Sequence, residues 1–217
     1  MKLKLLIFTA LIICGFLNIS AQERRLSADE FAAIQKKSSV KGKSYRRKLS
    51  EKVYKKPDGA LQRFFYDTWE YMASGDIHTV TEWGTPENTN RAESYVIGQT
   101  MYNLNTNGTW RQSPLKIATQ SNADSRPKPQ TETTAEHFYK GKVLYNNQLT
   151  DYYESRFTTK TTENGRESIT TFISKSWYKL DGMILRTEAT IDYEKFTAQR
   201  IFEWEYDPNI KFEAPVK

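Results

Sequence analysis

The sequence predicts a mainly β protein of the α+β class: one strongly curved antiparallel sheet, an unclosed half-barrel, with an N-terminal helix and room for one further short helix. Three observations predict it. The C-terminal third alternates apolar and polar residues with period two, as in Met183 to Tyr193 and Phe196 to Tyr206, which places successive side chains on opposite faces. Asn146-Asn147, Asn164-Gly165 and Asp181-Gly182 fall between such segments, and these residue types accept the positive φ of tight hairpin turns. Aromatic residues make up 13% of the 217-residue chain, and flat bulky side chains fill a pleated surface well.

At the N-terminus, Lys2 and Lys4 precede an apolar run from Leu5 to Leu17, and Asn18-Ile-Ser-Ala21 places a small residue before Gln22. That pattern predicts a secretory signal peptide over residues 1–21, cleaved after Ala21. The run is shorter than the roughly 20 apolar residues of a membrane span, so a soluble periplasmic or secreted product is expected. A rival reading takes Leu11-Ile-Ile-Cys14 as a lipoprotein box, but such boxes place a small residue before the cysteine and Ile13 is bulky, so anchoring at Cys14 is not favoured. Removing 21 of 217 residues leaves 196, expected as one domain over 22–217. Cys14 is the only cysteine, so the cleaved product would have neither disulfides nor thiolate chemistry.

The first predicted element is a helix, because Ser27-Ala-Asp-Glu30 has the form of a capping box and Phe31 and Ile34 supply an apolar face; it is expected to end near Gly42. Strands are predicted at Tyr45 to Tyr54, at Gln62 to Met72 after a Pro57-Asp-Gly59 turn, and after Gly75 through Thr79 to Trp83. Thr85 to Asn90 reads as a loop, followed by a hairpin of Glu93 to Ile97 and Met101 to Leu104, then a turn into Trp110. Residues 112–134, rich in Ser, Asn, Pro, Lys and Thr, read as a mobile loop or as a segment with a short helix around Leu115 to Thr119. A meander closes the chain, with strands at His137 to Tyr145, Leu149 to Thr162, Glu167 to Lys179, Met183 to Tyr193 and Thr197 to Tyr206.

Charge is concentrated. Loss of Lys2 and Lys4 with the leader lowers the net charge from +6 to +4, yet Lys36 to Lys56 alone carries ten basic residues against Glu51. Lys43, Arg46, Arg47 and Lys48 are its docking candidates, for an anionic membrane surface or an acidic envelope protein. The favoured reading is plainer: a solvated helix end and an edge strand, where lysines discourage edge pairing. An exported chain without groove-binding or base-stacking motifs gives no reason to expect nucleic acid.

Catalytic chemistry finds no support. The two histidines, His78 and His137, have no neighbours at metal-ligand spacing and are expected on solvated strand faces, so neither a metal nor a cofactor is expected. No Gly-x-Ser-x-Gly elbow and no phosphate-cradling glycine loop occurs. Glu203 and Glu205 share a strand face, the paired-carboxylate arrangement of glycosidases, but their neighbours mark that face as the wet side of a sheet. Asn107-Gly-Thr109 has the form of a glycosylation sequon and reads better as a turn.

Binding has more behind it. Alternation is expected to gather Phe157, Ile169, Ile173, Trp177, Leu185, Ile191, Phe202 and Trp204 on one dry face, joined by Trp69. Of these, Trp69, Phe157, Ile173, Trp177, Leu185, Phe202 and Trp204 are the ligand-binding candidates. One short helix cannot cover a sheet of eight or more strands, so the remainder of that face is either filled core or the wall of an apolar ligand site.

Three motifs carry a resemblance: Val96-Ile-Gly-Gln-Thr-Met-Tyr102 leading to Gly108-Thr-Trp110, Trp177-Tyr-Lys-Leu-Asp-Gly182, and Glu205-Tyr-Asp-Pro-Asn-Ile-Lys-Phe-Glu-Ala-Pro215. Across roughly Tyr45 to Pro215 the chain resembles the outer-membrane lipoprotein carrier (LolA-like) superfamily of envelope proteins. The resemblance implies a bent, unclosed antiparallel barrel capped by helices, with an apolar cavity that in the carriers holds lipoprotein acyl chains. This chain departs from the carriers in its basic segment and its tyrosine-rich strands. The resulting expectation is a non-catalytic envelope protein binding a lipid or other amphipathic ligand, a carrier or sensor. The alternative is a structural or interaction protein with a filled core, docking through the basic segment; an NTF2-like cone enzyme is disfavoured by the short N-terminal helix.

Overall fold

The structure, a computed structural model, describes residues 23–38, 40, 42–115, 130–163 and 165–215. The expected leader (1–21) and the expected short helix near 115–119 lie outside these residues, save Leu115. Twelve strands form a single antiparallel sheet: β1 (Arg24–Leu26), β2 (Tyr45–Lys55), β3 (Leu61–Tyr71), β4 (Ile77–Thr85), β5 (Asn88–Ile97), β6 (Thr100–Leu104), β7 (Trp110–Pro114), β8 (Gln130–Tyr145), β9 (Gln148–Glu163), β10 (Arg166–Lys179), β11 (Ile184–Asp192) and β12 (Phe196–Tyr206). Their spatial order is β1-β8-β9-β10-β11-β12-β2-β3-β4-β5-β6-β7. Two meanders, β2 to β7 and β8 to β12, are thus joined along β12 and β2, and the unpaired edges β1 and β7 leave the sheet unclosed among the described residues.

The helix α1 (Ala28–Lys37) begins as its capping box dictates. The Glu30 N–H donates to Ser27 Oγ (3.2 Å) and the Ser27 N–H donates to Glu30 Oε2 (2.7 Å), which holds the Glu30 carboxyl below its ordinary range with help from Arg24. The helix stops at Lys37, five residues short of Gly42. Phe31 is its buried residue, and its ring stacks on His137 at 4.1 Å, so α1 lies over the β8 side of the sheet.

Strand pairing assigns every side chain to one of two faces, because residues directly opposite in an antiparallel pair point the same way. The helix side carries Phe157, Phe172, Ile191, Ala198 and Val53 in one unbroken row, and Trp204, Arg47 and Trp69 in another. The opposite side carries Tyr152, Trp177 and Arg186, and further along Arg46, Glu70 and His78. This second side is the wet one, and the C-terminal segment after β12 crosses it: Phe212 lies against His78 (5.9 Å) and Tyr95 (5.7 Å), and Ile210 is buried.

Local chemistry explains the joints. Asn146 and Asn147 sit at φ 47° and 59°, which closes the β8–β9 hairpin in two residues. The segment Thr85 to Asn90, expected as a loop, is a tight hairpin: β4 runs to Thr85 and β5 starts at Asn88. Gly84 makes that possible, since a Cβ there would stand 1.9 Å from the Asn88 carbonyl oxygen. The stretch 112–134 is likewise strand at both ends, in β7 and β8. Register shifts at Val53/Tyr54, Tyr139/Gly141 and Trp177/Tyr178 each insert an extra residue and bend the sheet.

Candidate functional site

The sequence-predicted residues divide between the two sides. Trp69, Phe157, Phe202 and Trp204 lie on the helix side, together with Ile191. Ile169, Ile173 and Trp177 lie on the wet side, because β10 pairs Phe172 with both Phe157 and Ile191 and so gives its even positions to the helix side. Trp177 stacks there on Tyr152 at 5.1 Å, while Ile169 and Ile173 are exposed. Leu185 is displaced by the bulge opposite Trp177/Tyr178, which skips it in the pairing, and it lines a cleft with Glu203 and Arg46. The expected single dry face therefore loses these four residues and gains Phe172 and Tyr178. Both parities of β10 carry apolar side chains, so its pattern did not settle the side.

The basic candidates do not form one patch either. Arg46 and Arg47 are consecutive on β2 and point to opposite sides. Arg46 is neutralised by Glu70 (2.6 Å) and Glu205 (2.9 Å), exposed Lys48 shares its side, and Lys43 Nζ lies 2.9 Å from Met183 Sδ. Far from an edge, β2 is central, paired on both flanks by β12 and β3.

On the helix side, α1 covers β8 and reaches toward the β10–β11 turn, where Lys37 stands 3.5 Å from the Cβ position of Gly182. Over β12, β2 and β3 no described element lies on top. Here Leu49, Trp69, Phe202 and Trp204 stand side by side, all half-exposed. Tyr45, Tyr71 and Tyr206 close one end of this strip; Tyr45 stacks on Tyr71 at 4.5 Å, and burial pushes the hydroxyl pKa values of Tyr45 and Tyr206 up. An ion pair of Arg200 and Glu51 (2.5 Å) closes the other end and separates it from the Val53–Ala198–Ile191 row.

Two charged groups lie within the strip. Arg47 spreads its guanidinium over Trp69 at 4.0 Å, with Phe202 and Tyr71 at 5.9 Å. Its only polar contact among the described residues is Tyr71 Oη, 3.4 Å from Nη2, and its Nε is buried without a partner. Asp67, buried next to Leu49, accepts the Thr81 hydroxyl (2.8 Å); burial raises its pKa, and that hydrogen bond and the nearby Arg47 charge offset part of the rise.

Elsewhere the hollows are polar or small. A wet-side cleft of about 410 Å³ is lined by Arg46, Lys48, Lys179, Glu203 and Glu205 together with Tyr145, Leu185, Trp204 and Tyr206, so charged groups dominate its polar wall. Beneath the helix a cleft of about 210 Å³ is lined by Ile34, Tyr153, Tyr178 and Leu180.

Neither histidine is solvated as expected. His78 is 15% exposed, with Nδ1 2.9 Å from Glu70 Oε2 and Nε2 3.0 Å from Glu93 Oε1, beneath Phe212. Burial pushes the Glu70 carboxyl up, but His78 and Arg46 outweigh it and the net direction is down. These partners meet through strand pairing, Glu70 opposite His78 and Glu93 diagonal to it, which no local spacing reveals. Among the described residues no group of three such side chains is arranged to hold a metal ion, and no helix is long and apolar enough to cross a membrane.

No protein-family model and no curated protein matches the chain. Among solved structures it is similar to LprF from Mycobacterium bovis, at 8% identity and a TM-score of 0.44, covering 89% of this chain and 100% of that one. It is also similar to a LolA superfamily protein from Nitrosomonas europaea, at 8% identity, a TM-score of 0.31, and 81% and 93% coverage. A Vibrio parahaemolyticus domain described as outer membrane lipoprotein-sorting matches at 7% identity and a TM-score of 0.31, covering 84% of this chain and 93% of that one. The likeness is one of fold; the site stands on this chain's own residues.

Proposed function

We propose that the chain is a non-catalytic envelope protein that holds an apolar or amphipathic molecule against the helix side of its sheet. The observation that carries this reading is the half-exposed strip of Leu49, Trp69, Phe202 and Trp204 over three neighbouring strands that no described element covers. Contiguous apolar surface of this kind is costly to leave in water and marks a binding face. The leader-like start of the chain supports an envelope location, where lipids and other amphiphiles are abundant. Each buried CH₂ group of a ligand would contribute about 0.8 kcal/mol before ordering costs. The charged wet-side cleft is unsuited to an alkyl chain, so the strip is the better site.

The test is native mass spectrometry of the protein purified from the envelope without detergent, followed by organic extraction. A released lipid or other amphiphile is expected, and Trp204→Glu should abolish its retention, because a carboxylate would then have to be desolvated in the strip. A clean apo mass combined with no uptake of a fluorescent fatty acid would overturn the reading. A dimer in which Trp204→Glu restores the monomer would instead assign the strip to a second copy of the chain.

A further inference from the structure

Resting on that reading, we propose that the ligand is a single-chain amphiphile with an anionic carboxylate head, and that Arg47 is the residue that pairs with the head while Trp69, Phe202 and Trp204 hold the first part of the chain. A cation in the middle of an apolar strip calls for an explanation, because buried charges are ordinarily matched by a neighbouring carboxylate. Arg46, one residue earlier, shows that pattern with Glu70 and Glu205. Arg47 has no ion pair among the described residues, although Asp67 is close by register. The Asp67 carboxylate is turned to the Thr81 hydroxyl instead.

The donors of Arg47 match a carboxylate. A guanidinium binds one best through two parallel N–H groups, and five N–H donors are available on Arg47 for one long contact to Tyr71. Nε has no acceptor among the described residues, and the one contact from Nη2 to Tyr71 Oη is long at 3.4 Å, so turning Nε and Nη together toward an anion gives up little. Stacking on Trp69 keeps the guanidinium plane against the aromatic wall, which leaves its edge for the anion. A head held there lies beside Trp204, directly opposite Arg47 across the β2–β12 pairing, and one step along the strands from Phe202 and Leu49. An alkyl chain leaving the head therefore meets apolar side chains immediately.

The test compares three twelve-carbon compounds, dodecanoate and dodecyltrimethylammonium below their micelle concentrations and dodecanol below its solubility limit, read by tryptophan fluorescence and calorimetry. Dodecanoate should bind about ten-fold more tightly than dodecanol, the cation more weakly than either, the size expected of a charge-assisted bidentate pair. Arg47→Met should bring dodecanoate to within about two-fold of dodecanol. Asp67→Asn, whose amide oxygen can still accept from Thr81, should tighten dodecanoate and leave dodecanol alone; it stands as the second variant should Arg47→Met fold poorly. Equal binding of the three compounds, or an Asp67→Asn protein without any gain for dodecanoate, would overturn the role of Arg47 and leave the apolar site intact. Failure of every compound to bind would overturn the site itself.

Discussion

Phe172 and Ile173 are adjacent on β10 and bear similar apolar side chains, yet they face different surroundings. Phe172 stacks on Phe157 at 4.3 Å on the helix side, whereas Ile173 is 40% exposed on the wet side. Phe172→Ala should therefore destabilise the protein by about 1–3 kcal/mol, less than a fully buried phenylalanine costs. Ile173→Thr should stay within about 0.5 kcal/mol of the original, since it removes little apolar surface at an exposed position and keeps a β-branched residue. Urea midpoints of the two variants check this, and the reverse order would mean that β10 presents its other parity to the helix side. The tyrosines obey the same logic: Tyr178 is buried beside Tyr153 at 5.4 Å, and burial pushes both hydroxyl pKa values to about 12.

Phe31 attaches α1 to the sheet by packing on the His137 imidazole (4.1 Å) and against Tyr153 (6.5 Å). His137, under Phe31 and hydrogen-bonded through Nδ1 to Ser155 at 2.8 Å, has its pKa lowered from 6.5 by burial, so the folded protein favours the neutral ring. A depressed folded-state pKa gives stability that is fully present above the unfolded value and lost as pH falls. Protection of the α1 amides, corrected for the intrinsic exchange rate, should therefore fall as pH drops from about 7.5 to about 5, and His137→Gln should flatten that dependence. Protection in α1 that does not change with pH would show that the helix is held by other contacts. On the other side of the sheet, the segment after β12 is anchored by Ile210 and by Phe212 against His78 and Tyr95. Phe212→Ala should cost about 1–3 kcal/mol and make that segment the first site of limited proteolysis, readable by mass spectrometry of the fragments.

Taken as one molecule, the chain builds a wide sheet around a small buried core: among the described residues the buried hydrophobic ones are Leu26, Phe31, Tyr45, Val53, Tyr102, Tyr178, Ala198 and Ile210. Cross-strand pairs carry much of the order instead, such as Arg200 with Glu51 and Arg186 with Glu203. A sheet stabilised in this way can leave an apolar strip open for a ligand. Ligand binding should accordingly raise the unfolding midpoint with the logarithm of ligand concentration once the site is filled, and a melting series over dodecanoate concentrations measures that shift.

Local signals reached far along the chain. Ser27 and Glu30 fixed the start of α1, Asn146-Asn147 and Asp181-Gly182 fixed their hairpins, and period-two alternation marked the strands of the second meander to within a residue of their ends, except that β8 begins at Gln130, well before the expected His137. These features depend on neighbours in the chain, whose geometry follows from φ/ψ preference and side-chain period alone. Which apolar side chains share a face was legible where one parity is polar, as in β12, and illegible in β10, where only pairing to Phe157 and Ile191 selects Phe172 over Ile173. A one-residue bulge likewise removed Leu185 from the face its alternation implied, since a shift of one reverses a strand's sides. The surroundings of Arg47 and of His78 arose the same way, from residues brought opposite each other by strands distant in sequence, and such long-range pairing belongs to the folded sheet as a whole.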